Sequence, residues 1–489
     1  MNNQQNEVGY VVSSRNFLVQ LDGLPSIKIN DMVQSETNLR GWVNSVSETQ
    51  VEVLMVDEGT IKPKQQFKRL SSRLGVMVGD YLMGRAVNPL GVPIDGKGLL
   101  SKTQANPVME LDAEAPGIES REFIKTQFLT GITLIDTLIP LGQGQRELVL
   151  GDTHSGKTGF LIDIIVNQKN TGTICILALV GKPAVTVRNL IDTLRLNKAL
   201  DYTVIIATSS SEPAPLIFLT PKTAFTVAEY FQKKGKDVLL ILDDLGSHAK
   251  IHREIALLGN KSPGRESYPG DIFYQHAHLL ERAGNFTPKY GGGSITALPV
   301  IELNLTDFTT LIPTNLMSMT DGHLLFKAGL RSQGQIPAVD ISLSVSRVGR
   351  QTQDHVNNLL STRIRQVLSQ ASDLETISRF SSELPPQTQL ILRQRELIME
   401  ILKQEPLTAI PKQIQSILLA LPFTTFFQDK NRRFIEKYKQ IIIEAFQKNP
   451  TLLPITKAIN TLRTDDELIK LLEGAGGILS KLCPTQKAN

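Results

Sequence analysis

The run Gly151-Asp152-Thr153-His154-Ser155-Gly156-Lys157-Thr158 satisfies G-x-x-x-x-G-K-[ST] at every defined position. Glycines at these two places let successive backbone N–H groups turn inward around phosphate oxygens, at a helix N-terminus whose dipole favours negative charge. Lys157 is placed to meet the β- and γ-phosphates, and the Thr158 hydroxyl to ligate Mg²⁺. The chemistry expected is therefore the binding of ATP or ADP with Mg²⁺. A second metal partner should be a carboxylate at the end of a neighbouring strand. The apolar run Val238 to Leu242 ends in Asp243-Asp244, which assigns Asp243 to the water shell of the ion.

Such a loop works only between a buried strand and a helix, and both are legible. Glu147 to Leu150 is apolar enough for a strand, and Gly159 to Asn167 has a helical pattern. Further β-branched runs at Thr173 to Val180, Tyr202 to Ala207 and Val238 to Leu242 read as buried parallel strands of an α/β domain. Before them, short apolar pieces punctuated by Asp22-Gly, Asp57-Glu-Gly and Lys62-Pro predict a small antiparallel β-barrel. After Gly349 the strand signals fade. His355 to Ala371, Thr388 to Lys403 and Arg432 to Lys448 are periodic, some of them separated by prolines, and predict an α-helical bundle. The expected organisation is a barrel over 1–75, a central phosphate-loop domain with a parallel sheet over 76–350, and a helical domain over 351–489.

Composition bounds the function classes. The chain has 489 residues, 41% hydrophobic and 20% charged, and no apolar stretch of the ~18 residues a membrane span needs. Its net charge of +4 does not describe a nucleic-acid scaffold. Cys175 and Cys483 are the only cysteines, which excludes a disulfide framework or a Cys-rich zinc site. The start lacks the features of a signal or transit peptide, so a cytoplasmic location is expected. His248 and His252, and His276 and His278, are closely spaced but have no suitable third ligand, so they read as packing or surface histidines. Gly291-Gly-Gly-Ser reads as a flexible connector.

Longer strings resemble one family, the alpha subunits of F-type rotary ATP synthases, over nearly the whole chain. They are Gly84-Arg-Ala-Val-Asn-Pro-Leu-Gly-Val-Pro-Ile-Asp-Gly-Lys-Gly, Ala115-Pro-Gly-Ile, Gly142-Gln-Gly-Gln-Arg-Glu-Leu, Pro263-Gly-Arg-Glu-Ser-Tyr-Pro-Gly-Asp-Ile-Phe-Tyr, Leu279-Leu-Glu-Arg-Ala, Ile312-Pro-Thr-Asn, Thr320-Asp-Gly and Ser344-Val-Ser-Arg-Val-Gly. The Gly-Asp opening of the loop, the absence of a Gly-Glu-Arg motif and the Ser-Val-Ser-Arg string distinguish alpha from beta. The resemblance implies three copies alternating with three catalytic beta subunits around a central gamma stalk. It further implies a peripheral stalk, and contact with the membrane only through the complex, on the membrane's cytoplasmic face. It assigns Arg347 to the γ-phosphate of a neighbouring beta subunit and puts Ser344 and Ser318 at that interface. In the family's catalytic subunits a carboxylate follows the strand after the loop. Here Gly181-Lys182-Pro183 follows, so the chain's own site should hold nucleotide with little or no turnover.

Departures from the family pattern cluster at that site. Thr153-His154-Ser155 stand where Arg-Gln-Thr is usual, Lys182 where glutamine is usual, and Ile336 where an arginine near the base is usual. Gln404 is kept as a base contact, but Pro406 replaces the second glutamine. The expectation is that phosphate binding survives while adenine recognition weakens, set against neutral drift at a site without chemistry. Barrel-like sequence begins near Val8, without the usual helical extension. That points to altered stator docking, as in a divergent or second-operon synthase such as the sodium-linked type; the coupling ion, proton or sodium, is left open. The competing functions are an RNA-translocating ring ATPase and a structural paralogue in another hexameric assembly.

Overall fold

The computed structural model describes residues 7–101, 106–303, 307–378 and 385–484. The six positions before Glu7, where stator docking was considered, lie outside the described residues. Contacts divide the chain into two compact units, one of residues 1–124, 143–153 and 168–323, the other of residues 125–142, 154–167 and 324–489. The phosphate-loop string thus begins in the first unit and continues into the second.

The first unit opens with six strands, β1 (Val8–Arg15), β2 (Leu18–Gly23), β3 (Asp31–Ser35), β4 (Arg40–Val46), β5 (Val51–Met55) and β6 (Gln66–Arg73), closed into an antiparallel barrel in the order β1-β2-β5-β4-β3-β6. Closure removes the free edges that such short strands would otherwise present. Alternate residues fill the inside, among them Val19, Leu21, Val33, Val43, Val51, Val53 and Phe67.

The same unit holds a parallel sheet built from β7 (Ala86–Val87), β8 (Glu147–Asp152), β9 (Ile174–Lys182), β10 (Thr203–Ser209), β11 (Val238–Asp243) and β12 (Ser294–Leu303). Their order is β7-β10-β9-β11-β12-β8, every neighbouring pair parallel. β9 through β11 are almost wholly buried, as runs of Ile, Leu and Val without polar alternation require of a sheet covered on both faces. In such sheets ligands gather beyond the carboxyl ends of the strands, where Asp152, Lys182 and Asp243 stand. The glycine run after Tyr290 is not a free connector. Gly291 has φ +104, and a Cβ there would come within 2.6 Å of the Lys233 backbone, while a Cβ on Gly293 would overlap the Lys236 carbonyl. Those glycines are set by close packing.

The second unit contains helices α1 (Thr133–Leu138), α2 (Lys157–Asn167), α8 to α11 at the C-terminus and the segment that carries Arg347; the intervening helices α3 (Ala184–Leu196), α4 (Ala214–Lys233), α5 (Leu245–Leu258), α6 (Ile272–Leu280) and α7 (Leu311–Met319) belong to the first. Here α8 is Ala328–Ser332, α9 His355–Ser378, α10 Pro386–Leu402 and α11 Lys412–Ala420, followed by α12, Arg432–Lys448. α12 buries Phe434, Ile435, Tyr438, Ile442, Ile443 and Phe446, the three-and-four spacing of one helix face. Asn431 caps it by accepting the Phe434 N–H. The long C-terminal periodic stretches are helices, with boundaries within a few residues of those read from the pattern except at the end of α9. Among the described residues no helix is long and apolar enough to cross a membrane.

Candidate nucleotide-binding and arginine-donor sites

In the first unit the loop leaves β8 through Gly151, Asp152 and Thr153. The Thr153 hydroxyl donates to the Glu302 carboxylate of β12, whose register places Glu302 opposite Gly151. Two strands further on, Leu179 of β9 pairs with Asp243 of β11. Three residues past that pairing, Lys182 reaches back across the strand ends. Its Nζ lies 2.7 Å from Asp243 Oδ1 and 3.1 Å from Asp244 Oδ2. Burial works to lower the Lys182 pKa, but the two carboxylates outweigh it and raise the value, so the group is an ammonium. Asp244 also caps α5, accepting the N–H of Ser247.

The pairing bears on Asp243, the residue expected at the water shell of Mg²⁺. A carboxylate that holds Mg²⁺ through water needs room for those waters and uncompensated charge. The Lys182 ammonium occupies part of that room and offsets one of the two negative charges that Asp243 and Asp244 carry there. Among the described residues no group of three or more His, Cys, Asp and Glu is arranged to hold a metal ion.

In the second unit the loop continues through His154, exposed and at φ +61, buried Ser155, and Gly156 at φ +97, a left-handed value that favours glycine. Lys157 opens α2 and is largely buried, its Nζ 3.5 Å from Ser155 Oγ, while Thr158 is exposed on the same first turn. A residue not singled out from the sequence joins them. Arg331 of α8 brings Nη1 against Gly156, so closely that a Cβ on Gly156 would overlap it. Arg331 is exposed and forms no ion pair with any described residue. Its one sequence signal is its place just before Gly334-Gln-Ile-Pro-Ala, the stretch that resembles the family's Gly-Ile-Arg-Pro-Ala, since α8 is far along the chain from the loop.

Gln404, expected as a base contact, is engaged within the chain. Its Oε1 accepts from the N–H and the hydroxyl of Thr133, both at 3.0 Å, and its Nε2 donates to the carbonyls of Gly131 and Thr408 at 2.7 and 2.6 Å. Its own N–H donates to Ile336 O. With both amide protons and both lone pairs engaged, this side chain ties α1 to the chain after α10 and has nothing left to read a base. The nearby cavity of about 500 Å³, lined by Ile336, Lys403, Thr408 and Lys439 among others, is walled by that tether.

The Ser344-Val-Ser-Arg-Val-Gly segment is clamped along its length. Ser344 is buried, and its Oγ accepts the Leu325 N–H at 3.0 Å. Ser346 Oγ donates to Pro140 O at 2.6 Å, and Gly349 packs so tightly on the same carbonyl that a Cβ would overlap it. Upstream, Asp340 accepts from Ser342 and Leu343 N–H and pairs with Lys327 at 2.6 Å. Burial pushes the Asp340 pKa up, but these contacts hold it below the usual carboxylate range. Arg347, between the clamps, is exposed, and its side chain forms no hydrogen bond or ion pair with a described residue. Ser318 lies in the first unit, exposed near the end of α7, with its hydroxyl donated to Asn315 O.

Residues 131–346 match the ATP synthase alpha/beta family, nucleotide-binding domain, and residues 353–475 match the ATP synthase alpha/beta chain, C terminal domain. The chain is 37% identical over 465 residues to ATP synthase subunit alpha of Mycoplasma pneumoniae, covering 95% of this chain and 89% of that one. It is 38% identical over 467 residues to ATP synthase subunit alpha of Caldanaerobacter subterraneus subsp. tengcongensis, covering 94% and 92%. The chain belongs to the ATP synthase alpha/beta family. Within it the chain is of the alpha kind, part of an ATPase complex, with the barrel, parallel-sheet nucleotide-binding domain and helical region of that fold. The RNA-translocase and unrelated-assembly readings give way to this membership.

Proposed function

We propose that this alpha-type chain is a non-catalytic subunit of an F-type ATP synthase that holds ATP or ADP at its own loop and donates Arg347 to the catalytic site of a neighbouring beta subunit. The observation that carries the reading is Arg347, a guanidinium without a partner among the described residues, on a segment clamped on both sides by Ser344, Ser346 and Gly349. A planar, permanently charged fork stabilises charge on the γ-phosphoryl oxygens only if it is pre-positioned. In this proposal Ser344 is a positioning residue for the segment, and Ser318 is an exposed hydroxyl available to the same interface.

The rest of the assembly follows as part of the proposal: an alternating ring with beta subunits, a gamma stalk, a stator, no nucleic acid, and a place on the cytoplasmic side of a membrane that the complex reaches through other subunits. The three domains over 1–75, 76–350 and 351–489 are proposed as its structural divisions. Synthesis or hydrolysis would be coupled to proton or sodium transport. The test is Arg347→Ala in the assembled complex, with turnover expected to fall about a thousandfold or more and assembly unchanged. Arg347→Lys should rescue little, because an ammonium lacks the fork. Unchanged turnover of an intact Arg347→Ala complex would refute the arginine-donor role.

A further inference from the structure

The second unit contains a cavity of about 490 Å³ formed by α8, the stretch that follows it, α9 and α10. Leu330, Val339, Leu368 and Met399 give it apolar walls, and no residue of the loop string 151–158 lines it. Arg365 of α9 joins the lining and is half-buried. A guanidinium has five N–H donors. One of these goes to the Leu138 carbonyl at the end of α1, and no carboxylate among the described residues pairs with the group. Burial first, and then the positive charge of Arg350, lower the Arg365 pKa, with no carboxylate countering them. The other charges of the lining are placed differently. Asp340 is answered by Lys327 at 2.6 Å, Arg395 is engaged in a contact of its own, and Asp373 is exposed. The charge left unanswered inside the cavity is that of Arg365.

We propose that this cavity binds an organic carboxylate with an apolar body, its two oxygens meeting the remaining N–H groups of Arg365. A guanidinium drawn part-way out of water without a counter-ion is costly, and an incoming carboxylate offsets that cost. Two carboxylate oxygens match the planar fork of an arginine, where a single point charge would not. The volume falls within the roughly 300–1,000 Å³ of small-molecule sites, which combine apolar walls with a few fixed polar groups. A phosphate dianion would bring two negative charges to one unanswered cation and turn its other oxygens toward leucine, valine and methionine side chains. A singly charged head group on an apolar body suits both the charge and the walls.

The experiment is calorimetric titration of the full chain with octanoate and with the uncharged octanamide, inorganic phosphate serving as a competitor. Octanoate should bind wild type at least about tenfold more tightly than octanamide, the worth of one charge-assisted pair, and phosphate should not displace it. Arg365→Gln should erase that preference. Ser369→Trp, which keeps the arginine and narrows the cavity from its exposed side, should weaken octanoate at least about tenfold. Urea midpoints identify a variant that does not fold, and the ratio of octanoate to octanamide affinity in wild type tests the proposal without either variant. Equal affinity of wild type for the two probes, or no octanoate binding, would overturn it. So would a preference that persists in folded Arg365→Gln, or displacement of octanoate by phosphate.

Discussion

Acid should destabilise the first unit from its interior, through a histidine pair. His248 of α5 and His276 of α6 are both fully enclosed, with His248 Nδ1 3.3 Å from His276 Nε2 and His248 Nε2 3.2 Å from the Phe218 carbonyl of α4. A carbonyl only accepts, so His248 carries its proton on Nε2. Its Nδ1 is then the acceptor, and His276 must donate from Nε2. Among the described residues His276 Nδ1 has no partner. A proton added to His248 Nδ1 destroys the acceptor, and one added to His276 Nδ1 creates a buried charge with nothing to meet it. Around the pair, His252 Nε2 is 3.5 Å from Asp271, and Lys222, paired with Asp112, sits 5.3 Å over the Phe218 ring. Burial, and then the neighbouring His252, push His276 down to about 3. His248 is driven well below the ordinary histidine range by burial first and His276 second. Both folded-state values lie below the unfolded value of about 6.5, so the unfolded chain binds more protons as pH drops and stability falls with it. Each group contributes up to about 1.4 kcal/mol per pH unit once the unfolded chain is protonated. From pH 7 to pH 5 the two together remove about 4 kcal/mol, a sum set by the unfolded value as long as both groups stay neutral when folded. That is a large share of the roughly 5–15 kcal/mol that holds a domain folded. The assay is the urea midpoint and slope at pH 7 and pH 5 for wild type and for the double variant His248→Gln/His276→Gln. The double variant should lose about 4 kcal/mol less than wild type over that interval. An equal loss in both proteins would refute the buried-neutral assignment.

Gly349→Ala should lower turnover of the assembled complex by about tenfold or more without touching Arg347, because a methyl group there displaces the segment from Pro140 O; wild-type turnover would show that the clamp does not position the arginine. Gln404→Ala should cost about 2–4 kcal/mol in the second unit, since it strands the Thr133 N–H and the Gly131 and Thr408 carbonyls. Its ATP affinity should stay within about threefold of wild type once folding is allowed for, and a selective loss of affinity would restore Gln404 as a base contact. Arg331→Ala should weaken ATP binding about tenfold, the worth of one charge-assisted contact, with the urea midpoint unchanged. Equal affinity in the variant would remove Arg331 from the phosphate site.

Local chemistry was written plainly in the sequence. The loop string needs only eight consecutive residues, the β-branched runs declare buried parallel strands, and α12 declares its buried face through a repeat every three to four positions. Each of these is a property of neighbouring residues, because helix and strand periods are set by local backbone geometry. Long ordered strings were enough to bring the family into view.

What the sequence could not carry is which distant groups meet. Lys182 is visible as a missing acid, but its pairing with Asp243 and Asp244 depends on the register of two strands more than fifty residues apart. The same is true of Gln404 and Thr133, of Arg331 and Gly156, and of the His248–His276 pair. The glycines after Tyr290 look flexible by composition and are fixed by the backbone of another segment. Side chains have several angstroms of reach and many rotamers, and nothing local to them records who arrives at the other end. The sequence by itself determined a loop string with its flanking strand and helix; the tertiary structure decided which cation faces Asp243, because only packing fixes where a flexible charge comes to rest.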